Sequence, residues 1–456
     1  MSDQPCSPDR PPLYGPLWCP MKRPVTRRIF CSSSLAALGS ATAFPTSAVT
    51  TQQPSHPAIP PVRAWNSKTD TFTPYFPYGW YSFGPSAQVK EIAASGANTV
   101  LYASMGKHDW QRADALKQMD LAADLGVKVI VGLHGAVAGT VYLDRPDTHS
   151  VIPHYVNTFN DHPAMLGWQL GDEFSAEAAP RIRDTVELLR KLGSKHQTWQ
   201  VHPHTWSHRD VRALMSATDV CSYDGYTYLD GLPEFSAHAS ARVLAWQQGK
   251  VGLIRQAGWS GNVNVTQAVG CKCGDAPFRF PTPEEYRWNV FSAIASTGAR
   301  GTMNWIYSYW GGFYADDPDR FFAFRDDTVR PVYREQQMIA RAMETGYDVG
   351  QLETNLDHPT ETNIPSATGP YSRFNKVGRI LLHDAQARTY YLIVTNNEGT
   401  DHTLHLTLSA LPAPLSSAEA NVPHEKRAIL LQRSAEGRYA LRDQLPAHAV
   451  VVYVLA

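Results

Sequence analysis

The chain has 456 residues, enough for one large domain and a smaller one, and its formal net charge is −1. Because it contains neither a long basic run nor an acidic tail, the sequence gives no indication of nucleic-acid binding. Aromatic residues make up 11% of the chain, with 12 Trp and 21 Tyr, which suits either a protein that packs flat rings against ligands or a large aromatic core.

Residues 1–50 are predicted to be a leader rather than part of a folded domain. Arg27 and Arg28 precede a small, weakly apolar run over Cys31–Phe44. A paired arginine before such a run resembles a twin-arginine export signal, which predicts a bacterial protein exported to the periplasm or the cell exterior. An ordinary basic, disordered leader is the alternative. No later stretch has the roughly 18 uninterrupted apolar residues of a membrane helix, so no membrane span is expected in the mature chain.

Cysteine usage gives little support for a disulfide framework or a metal site. Cys221, Cys271 and Cys273 are the cysteines that follow the leader. They are expected to form either one bridge or a thiol pair near a ligand. A structural metal site needs more ligands at finger-like spacing, so neither a metal nor another cofactor is predicted.

The middle of the chain has the alternating pattern of a barrel. Residues 51–75 are polar and contain proline, which predicts a linker. Over residues 76–348, β-rich runs alternate eight times with stretches whose apolar residues lie three and four apart. Eight such units over about 270 residues fit a (β/α)8 barrel better than an open, doubly wound sheet. No G-x-G-x-x-G follows the first strand, which argues against a dinucleotide-binding fold. The predicted strands are Tyr78–Phe83, Thr99–Ala103, Val127–Leu133, Leu166–Leu170, Thr198–Val201, Val220–Tyr223, Val263–Gln267 and Gly301–Trp305.

Helical periodicity stops near residue 350, and residues 349–456 carry short strand-like runs separated by turn residues. Asn396-Asn397-Glu398-Gly399 is a strong turn signal within this part. The pattern predicts a small antiparallel β-sandwich packed on the barrel. We expect this module to cover one side of the barrel, and sugar binding is its alternative role.

The segment Met165–Phe174 is a short apolar strand that ends in two adjacent carboxylates, Asp172 and Glu173. Burying two acids is costly unless they are solvated or paired, so this strand is expected to open into a cavity. The carboxyl ends of barrel strands meet at one mouth, where active sites lie. The other residues predicted to bind substrate there are His134, Trp168, His202, Tyr226, Gln267, Trp305 and Tyr309.

These residue types are typical of a carbohydrate site, because sugars present hydroxyl groups at their rims and apolar C–H faces to aromatic rings. Glycoside cleavage needs an acid to protonate the leaving oxygen and a second carboxylate. Glu173 is the predicted acid, with Trp168 and Phe174 beside it to raise its pKa. Asp172 is a further catalytic candidate. The alternative is that both acids cap the helix that follows.

Asp224 is the predicted base or nucleophile, because it ends a strand two positions around the barrel from Glu173. Its alternative role is to orient a neighbouring Tyr or His, and Asp230 and Asp275 are reserve candidates. His134, His202 and His204 are an alternative metal cluster. Hydrogen bonding to substrate or to the acids is the favoured interpretation of these histidines.

Trp168-Gln-Leu-Gly-Asp172-Glu173 resembles the fourth-strand motif of retaining (β/α)8 glycoside hydrolases. In that clan, the acid/base Glu follows an Asn on strand four, and a nucleophilic Glu ends strand seven. Here Asp172 precedes Glu173, and Gln267 stands at the predicted nucleophile position. Because an amide cannot form the usual glycosyl-enzyme ester, retention through a strand-seven carboxylate does not follow from the resemblance.

The chain is more similar to a less characterised bacterial group of the same clan that has Gln at this position. The shared pieces, over residues 76–345, are Asp172-Glu173, Asp224-Gly225-Tyr226, Gln267, Thr282-Pro283-Glu284-Glu285 and Gly298-Ala299-Arg300-Gly301. The resemblance implies a glycoside hydrolase, and the leader implies an exported one that acts on a poly- or oligosaccharide. A catalytically silent carbohydrate-binding barrel is the first alternative, and a metal-dependent hydrolase is the second.

Overall fold

The computed structural model describes residues 59–82, 87–102, 109–133, 151–203, 208–226, 228, 233–235, 262–270, 278–307, 317–356, 359–361 and 373–456. Predictions about the leader therefore lie outside the described residues. The same holds for His134, His204, Asp230, Cys271, Cys273, Asp275 and Tyr309.

Eight parallel strands close into a barrel, which confirms the predicted (β/α)8 fold. The last strand pairs with the first, and the others follow in chain order. The strands are β3 (Tyr78–Ser82), β4 (Thr99–Tyr102), β5 (Lys128–Gly132), β6 (Met165–Asp172), β7 (Gln197–Pro203), β8 (Val220–Asp224), β9 (Asn262–Gln267) and β10 (Gly301–Tyr307).

Each strand turns one face to the barrel interior and the other to the surrounding helices, as the two-residue period of a strand requires. The interior is packed with side chains from all sides, including Leu101, Ile130, Trp199 and Met303. The helices are α1 (Ala87–Ala94), α2 (Asp109–Asp124), α3 (Val151–Phe159), α4 (Ala179–Lys191), α5 (His208–Met215), α6 (Pro283–Thr297), α7 (Pro318–Phe324) and α8 (Arg330–Thr345). None of the helices that the structure describes combines the length and apolarity of a bilayer span.

Helix α6 begins with a capping box and ends at a glycine. The Thr282 hydroxyl accepts a hydrogen bond from the Glu285 amide at 3.3 Å, and the Glu285 carboxylate accepts one from the Thr282 amide at 2.9 Å. This capping box satisfies donors that the first turn leaves unpaired. Gly298 ends the helix with a φ of 73°, a left-handed conformation that favours glycine.

A β-hairpin closes the amino-terminal end of the barrel, which corrects the expected linker over residues 51–75 for its described part. The hairpin consists of β1 (Val62–Asn66) and β2 (Thr71–Tyr75). Val62 and Ala64 pack against the interior side chains of the barrel. The second strand is almost wholly exposed and contains Pro74, a residue that argues against a strand, so the sequence pattern did not predict it.

The C-terminal part is a β-sandwich, as predicted. Its two main sheets have the orders β11-β16-β20-β19 and β14-β15-β21-β17-β18, and β12 pairs with β13. The strands are β11 (Gln351–Thr354), β12 (Pro359–Glu361), β13 (Arg373–Asn375), β14 (Val377–Asp384), β15 (Thr389–Asn396), β16 (His402–Ser409), β17 (Glu419–Val422), β18 (Arg427–Leu430), β19 (Gln432–Arg433), β20 (Tyr439–Leu445) and β21 (Val450–Leu455).

The five-stranded sheet of this sandwich is apolar on both faces. Leu381 and Leu392 point into the sandwich core, whereas their neighbours Leu382 and Ile393 join the core that surrounds the barrel. The second face packs on α6 and α8. The barrel and the sandwich therefore share a continuous apolar interface.

Candidate active site

Carboxylates at the ends of two barrel strands act electrostatically on the same phenol at the carboxyl-terminal end of the barrel. Burial first, and then the charges of Asp172, Asp224 and Glu173, raise the pKa of Tyr81 well above its ordinary value. The pKa of Tyr226 is raised in the same way, by burial and then mainly by Asp224. Both phenols therefore stay protonated and can donate hydrogen bonds. Asp172, Glu173 and Asp224, which the sequence placed at one mouth, therefore all lie near enough to Tyr81 and Tyr226 for their charges to act on these phenols.

An aromatic cluster lies beside these acids. The Trp305 ring is 5.6 Å from the Tyr81 ring at an interplanar angle of 63°, and 6.3 Å from the Tyr226 ring at 27°. Phe278 contacts the other side of Tyr226 edge-on, at 6.1 Å. Trp305, Tyr226 and Phe278 are each partly exposed residues. Partly exposed rings beside acids are suited to the apolar faces and hydroxyl groups of a sugar.

Asp172 is the acid whose protonation is most strongly perturbed. It ends β6, is half-buried, and pairs in register with Val201, an interior residue of the next strand. Burial, and after it the neighbouring Glu173, raises the pKa of Asp172 from 3.8 to about 7. A carboxyl with this pKa holds a proton on a substantial fraction of molecules at neutral pH.

Glu173 follows in an unusual backbone conformation. Its φ is 52°, in the left-handed region, and its amide donates to the Val201 carbonyl at 3.2 Å. A bulge in the pairing of β6 with β7, between Gln169 and Gly171, precedes it. The side chain is exposed at the rim, yet its charge acts on Tyr81 and Tyr226. Non-glycine residues held in this region often lie at functional sites, because the surrounding structure must compensate for the strain.

Two predicted substrate contacts lie elsewhere. Trp168 is fully buried among helix-facing side chains, and its Nε1 donates to the Ser194 hydroxyl at 2.9 Å. It therefore does not reach the mouth. His202 is also fully buried and follows Val201, an interior residue, so strand alternation places it on the helix-facing side of β7. The predicted mouth positions of both residues were wrong because neighbouring residues of a strand point to opposite faces.

Gln267 is engaged with backbone rather than open to substrate. It is fully buried, and its Oε1 accepts from the Tyr228 amide at 3.0 Å. Its Nε2 donates to the carbonyl oxygens of Tyr228, Val269 and Arg279 at 3.0, 3.3 and 2.9 Å. The amide therefore ties the loop after β8 to the loop after β9, which replaces the predicted substrate contact. A glutamate in this place would lose all three donated bonds.

Two interior residues escaped the sequence reasoning. Gln169 follows the outward-facing Trp168 on β6 and pairs in register with Trp199 in the barrel interior. It is fully buried, and neither atom of its amide has a hydrogen-bond partner within the described ranges. The same holds for Nε1 of Trp199. Buried polar atoms are almost always paired, so the Gln169 side-chain amide and Trp199 Nε1 are candidates for hydrogen bonds to a ligand. Gln169 is the one amide side chain within the apolar run of β6, and this feature of the sequence could have marked it as a candidate.

The described residues contain no group of three or more His, Cys, Asp or Glu placed to hold a metal ion. The alternative metal cluster is not tested by this, because two of its three histidines, His134 and His204, lie outside them.

Comparisons with known proteins place the chain by its fold. No family model matches it. No curated protein matches it either. Among solved structures, it is similar to a glycoside hydrolase family 5 protein from Bacteroides vulgatus ATCC 8482, with a TM-score of 0.54, 12% identity, and coverage of 86% of this chain and 93% of that one. A second structure, described as a glycoside hydrolase, gives a TM-score of 0.53 at 9% identity and covers 88% and 96% of the two chains. At such identities the likeness shows a shared fold.

Proposed function

We propose that the chain is an exported enzyme that hydrolyses O-glycosidic bonds in a poly- or oligosaccharide. The observation that carries the proposal is that the charges of Asp172 at the end of β6, of Glu173 after it and of Asp224 at the end of β8 all act on Tyr81 and Tyr226. Glycoside cleavage needs two carboxyl groups, one to protonate the leaving oxygen and one to act as base or nucleophile. The fold shared with two structures described as glycoside hydrolases adds support. The paired arginines of the leader support export.

The proposed proton source is the Asp172–Glu173 pair. Two neighbouring carboxyl groups resist double ionisation, so the pair retains a proton at a pH where an isolated acid has lost it. Burial first, and then the neighbouring Glu173, raises the pKa of Asp172 to about 7. Glu173 lies at the exposed rim and is assigned to donate to the leaving oxygen, while Asp172 keeps the pair protonated. A general acid works best when its pKa lies near the working pH.

The proposed second carboxylate is Asp224. It is buried at the end of β8, and β7 lies between β8 and β6 in the barrel. Gln267 cannot replace it, because an amide forms no glycosyl ester and this one is bonded to backbone. Asp224 therefore either activates a water molecule or attacks the sugar carbon. A separation of about 6.5–9.5 Å between the carboxyl groups gives inversion, and about 5–5.5 Å gives retention.

The proposed sugar platform is the pair of rings from Trp305 and Tyr226. Their planes lie within 27° of each other, so both can lie against successive apolar sugar faces. The protonated Tyr81 beside Trp305 then offers a hydrogen bond to a sugar hydroxyl. These contacts orient the glycosidic bond between the acids.

A barrel that binds sugar without cleaving it is the competing candidate. The observation in its favour is Gln267. This residue stands where the glycoside hydrolase clan that the chain resembles has its nucleophile, and its side chain is hydrogen-bonded to backbone. The raised pKa of Asp172 favours the enzyme, because a sugar-binding site has no need of a carboxyl tuned to neutrality.

The test is a hydrolysis screen over polysaccharides and oligosaccharides, followed by Glu173→Gln and Asp224→Asn on the best substrate. Each substitution is expected to reduce turnover by about 10²–10⁴-fold, the usual contribution of an acid or base group. Asp70→Asn is the matched control, because Asp70 lies in the hairpin at the opposite end of the barrel, and this variant should keep wild-type turnover. Full turnover in both mouth variants would refute the assignment. Sugar binding without any wild-type turnover would establish the competing candidate.

A further inference from the structure

We propose that the β-sandwich is a working part of the candidate active site, because His448 holds in place, through Phe235, the loop that leaves Asp224. The inference rests on the proposed glycoside hydrolysis. His448 is a positioning residue in this scheme, since it acts on the site through other side chains.

The first step is a ring contact between the two domains. His448 lies in the turn between β20 and β21 of the sandwich, and Phe235 lies on the loop after β8 of the barrel. Their rings are 4.4 Å apart and parallel within 3°. Trp288 of α6 meets both rings edge-on, at 5.9 Å from His448 and 6.3 Å from Phe235. The Phe235 ring therefore sits in an aromatic clamp made by one residue of each domain.

The second step fixes the backbone at Phe235. Its amide donates to Oε1 of Glu285 at 2.7 Å. Glu285 is fully buried and also accepts two bonds from the Arg279 guanidinium, at 2.6 and 2.7 Å. A buried carboxylate with this many donors is a fixed point of the structure, because moving it would leave a charge without partners.

The third step connects this fixed point to the mouth. The Arg279 amide donates to the Tyr228 carbonyl at 3.0 Å, and the Gln267 side chain binds both the amide and the carbonyl of Tyr228. Tyr228 follows Asp224 by four residues. The chain that leaves β8 is thus anchored at Tyr228 by the barrel, and at Phe235 by the barrel and the sandwich together.

The contribution of the sandwich to holding Phe235 depends on the His448 ring. The turn that carries His448 is itself held, because the His448 amide donates to the Glu398 carbonyl at 3.1 Å. Removing the imidazole leaves the Phe235 ring clamped from one side. The Phe235 amide is one of the donors to Glu285, and Arg279 joins Glu285 to Tyr228. We therefore expect movement at Phe235 to loosen the hold on Tyr228 and to shift Asp224, four residues earlier. A small misplacement of a catalytic group is enough to reduce the rate strongly.

The experiment compares His448→Ala with His448→Phe, which keeps an aromatic ring. His405→Ala is the control, because His405 is an exposed histidine of the same sandwich. Hydrogen–deuterium exchange at the amides of Tyr228 and Phe235 is read against the Val129 amide of β5 as internal standard. His448→Ala should speed exchange at Phe235 and leave Val129 unchanged. His448→Phe and His405→Ala should match the wild-type chain.

Turnover on the substrate from the screen is the second readout. His448→Ala should lower kcat by about tenfold or more with little change in KM, and His448→Phe should restore it. Unchanged exchange at Phe235 in His448→Ala would overturn the proposed contact even if the chain is a glycosidase. Faster exchange with unchanged kcat would limit the contact to a structural role and overturn the inference. If no wild-type turnover exists, the proposed function fails alone, and the exchange data still decide whether the sandwich holds the loop.

Discussion

The two ends of the barrel use their polar side chains in opposite ways. At the amino-terminal end, Asn98 accepts from the Tyr78 amide at 2.8 Å and donates to the Phe76 carbonyl at 2.9 Å, so these two backbone groups are paired. At the carboxyl-terminal end, Asp172 holds a raised pKa and Glu173 a left-handed backbone. One end is arranged for stability, and the other keeps features that cost stability. In barrels of this type function resides at the carboxyl end of the strands.

Asp172→Asn is expected to have the largest effect on stability. Because the folded pKa is about 7 and the ordinary value is 3.8, wild-type stability is full below pH 4 and falls as pH rises through 7. At about 1.4 kcal/mol per pKa unit, the variant should gain on the order of 4 kcal/mol over wild type above pH 7, and little at pH 4. Urea unfolding at pH 4, 6 and 8 measures the difference.

Asp70→Asn is the control for this prediction at the other end of the barrel. Hydrogen bonds from Lys195 and Trp65 lower the pKa of Asp70, so its contribution has the opposite sign and is lost as pH falls. If both variants showed the same pH trend, the contrast between the two ends would not hold.

Asn98→Ala is expected to cost about 2 kcal/mol of unfolding free energy, because two buried backbone groups lose their partners. Turnover per folded molecule should not change, since the residue lies at the end of the barrel away from the mouth. Thermal unfolding and active-site titration on the same sample give both quantities. A loss of kcat without a loss of stability would contradict the separation of roles.

Glu173→Gly is expected to have the smallest effect on stability and a large one on turnover. Glycine adopts a φ of 52° without the cost of a side chain, but it also gains freedom in the unfolded chain, so the net gain should be about 0.5 kcal/mol. Arg388→Gly is the matched control, because Arg388 has the same φ of 52° in an exposed turn of the sandwich. The control should show the gain with no change in turnover, and a loss of stability in Glu173→Gly alone would show that its conformation is not strained.

Much of the fold could be predicted from the sequence, because eight repeats of apolar runs and helical spacing specify their own secondary structure. The strand that carries the acids was expected over Leu166–Leu170 and extends over Met165–Asp172. The hairpin over Val62–Tyr75 was missed, since one of its strands is exposed and contains a proline.

The site was harder to predict, for a physical reason. Strands of a parallel barrel are apolar on both faces, so their composition does not show which side faces inward. Trp168 and His202 were misplaced in this way. The role of Gln267 depends on Tyr228 and Arg279, which are distant in sequence and reach it through the folded loops. The catalytic roles of Asp172, Glu173 and Asp224 remain predictions.

The sheet that packs on α6 and α8 determines how the chain can be divided. Arg287 of α6 is ion-paired with Glu335 of α8 at 2.7 Å and also donates to the Val450 carbonyl of the sandwich at 2.6 Å. Trp288 donates to the Asn396 carbonyl across the same boundary. A fragment cut near residue 348 would expose the apolar interface between the barrel and the sandwich to water. It would also leave the Arg287 and Trp288 donors without their sandwich acceptors. The two modules are therefore expected to melt in a single transition, and neither is suited to expression without the other.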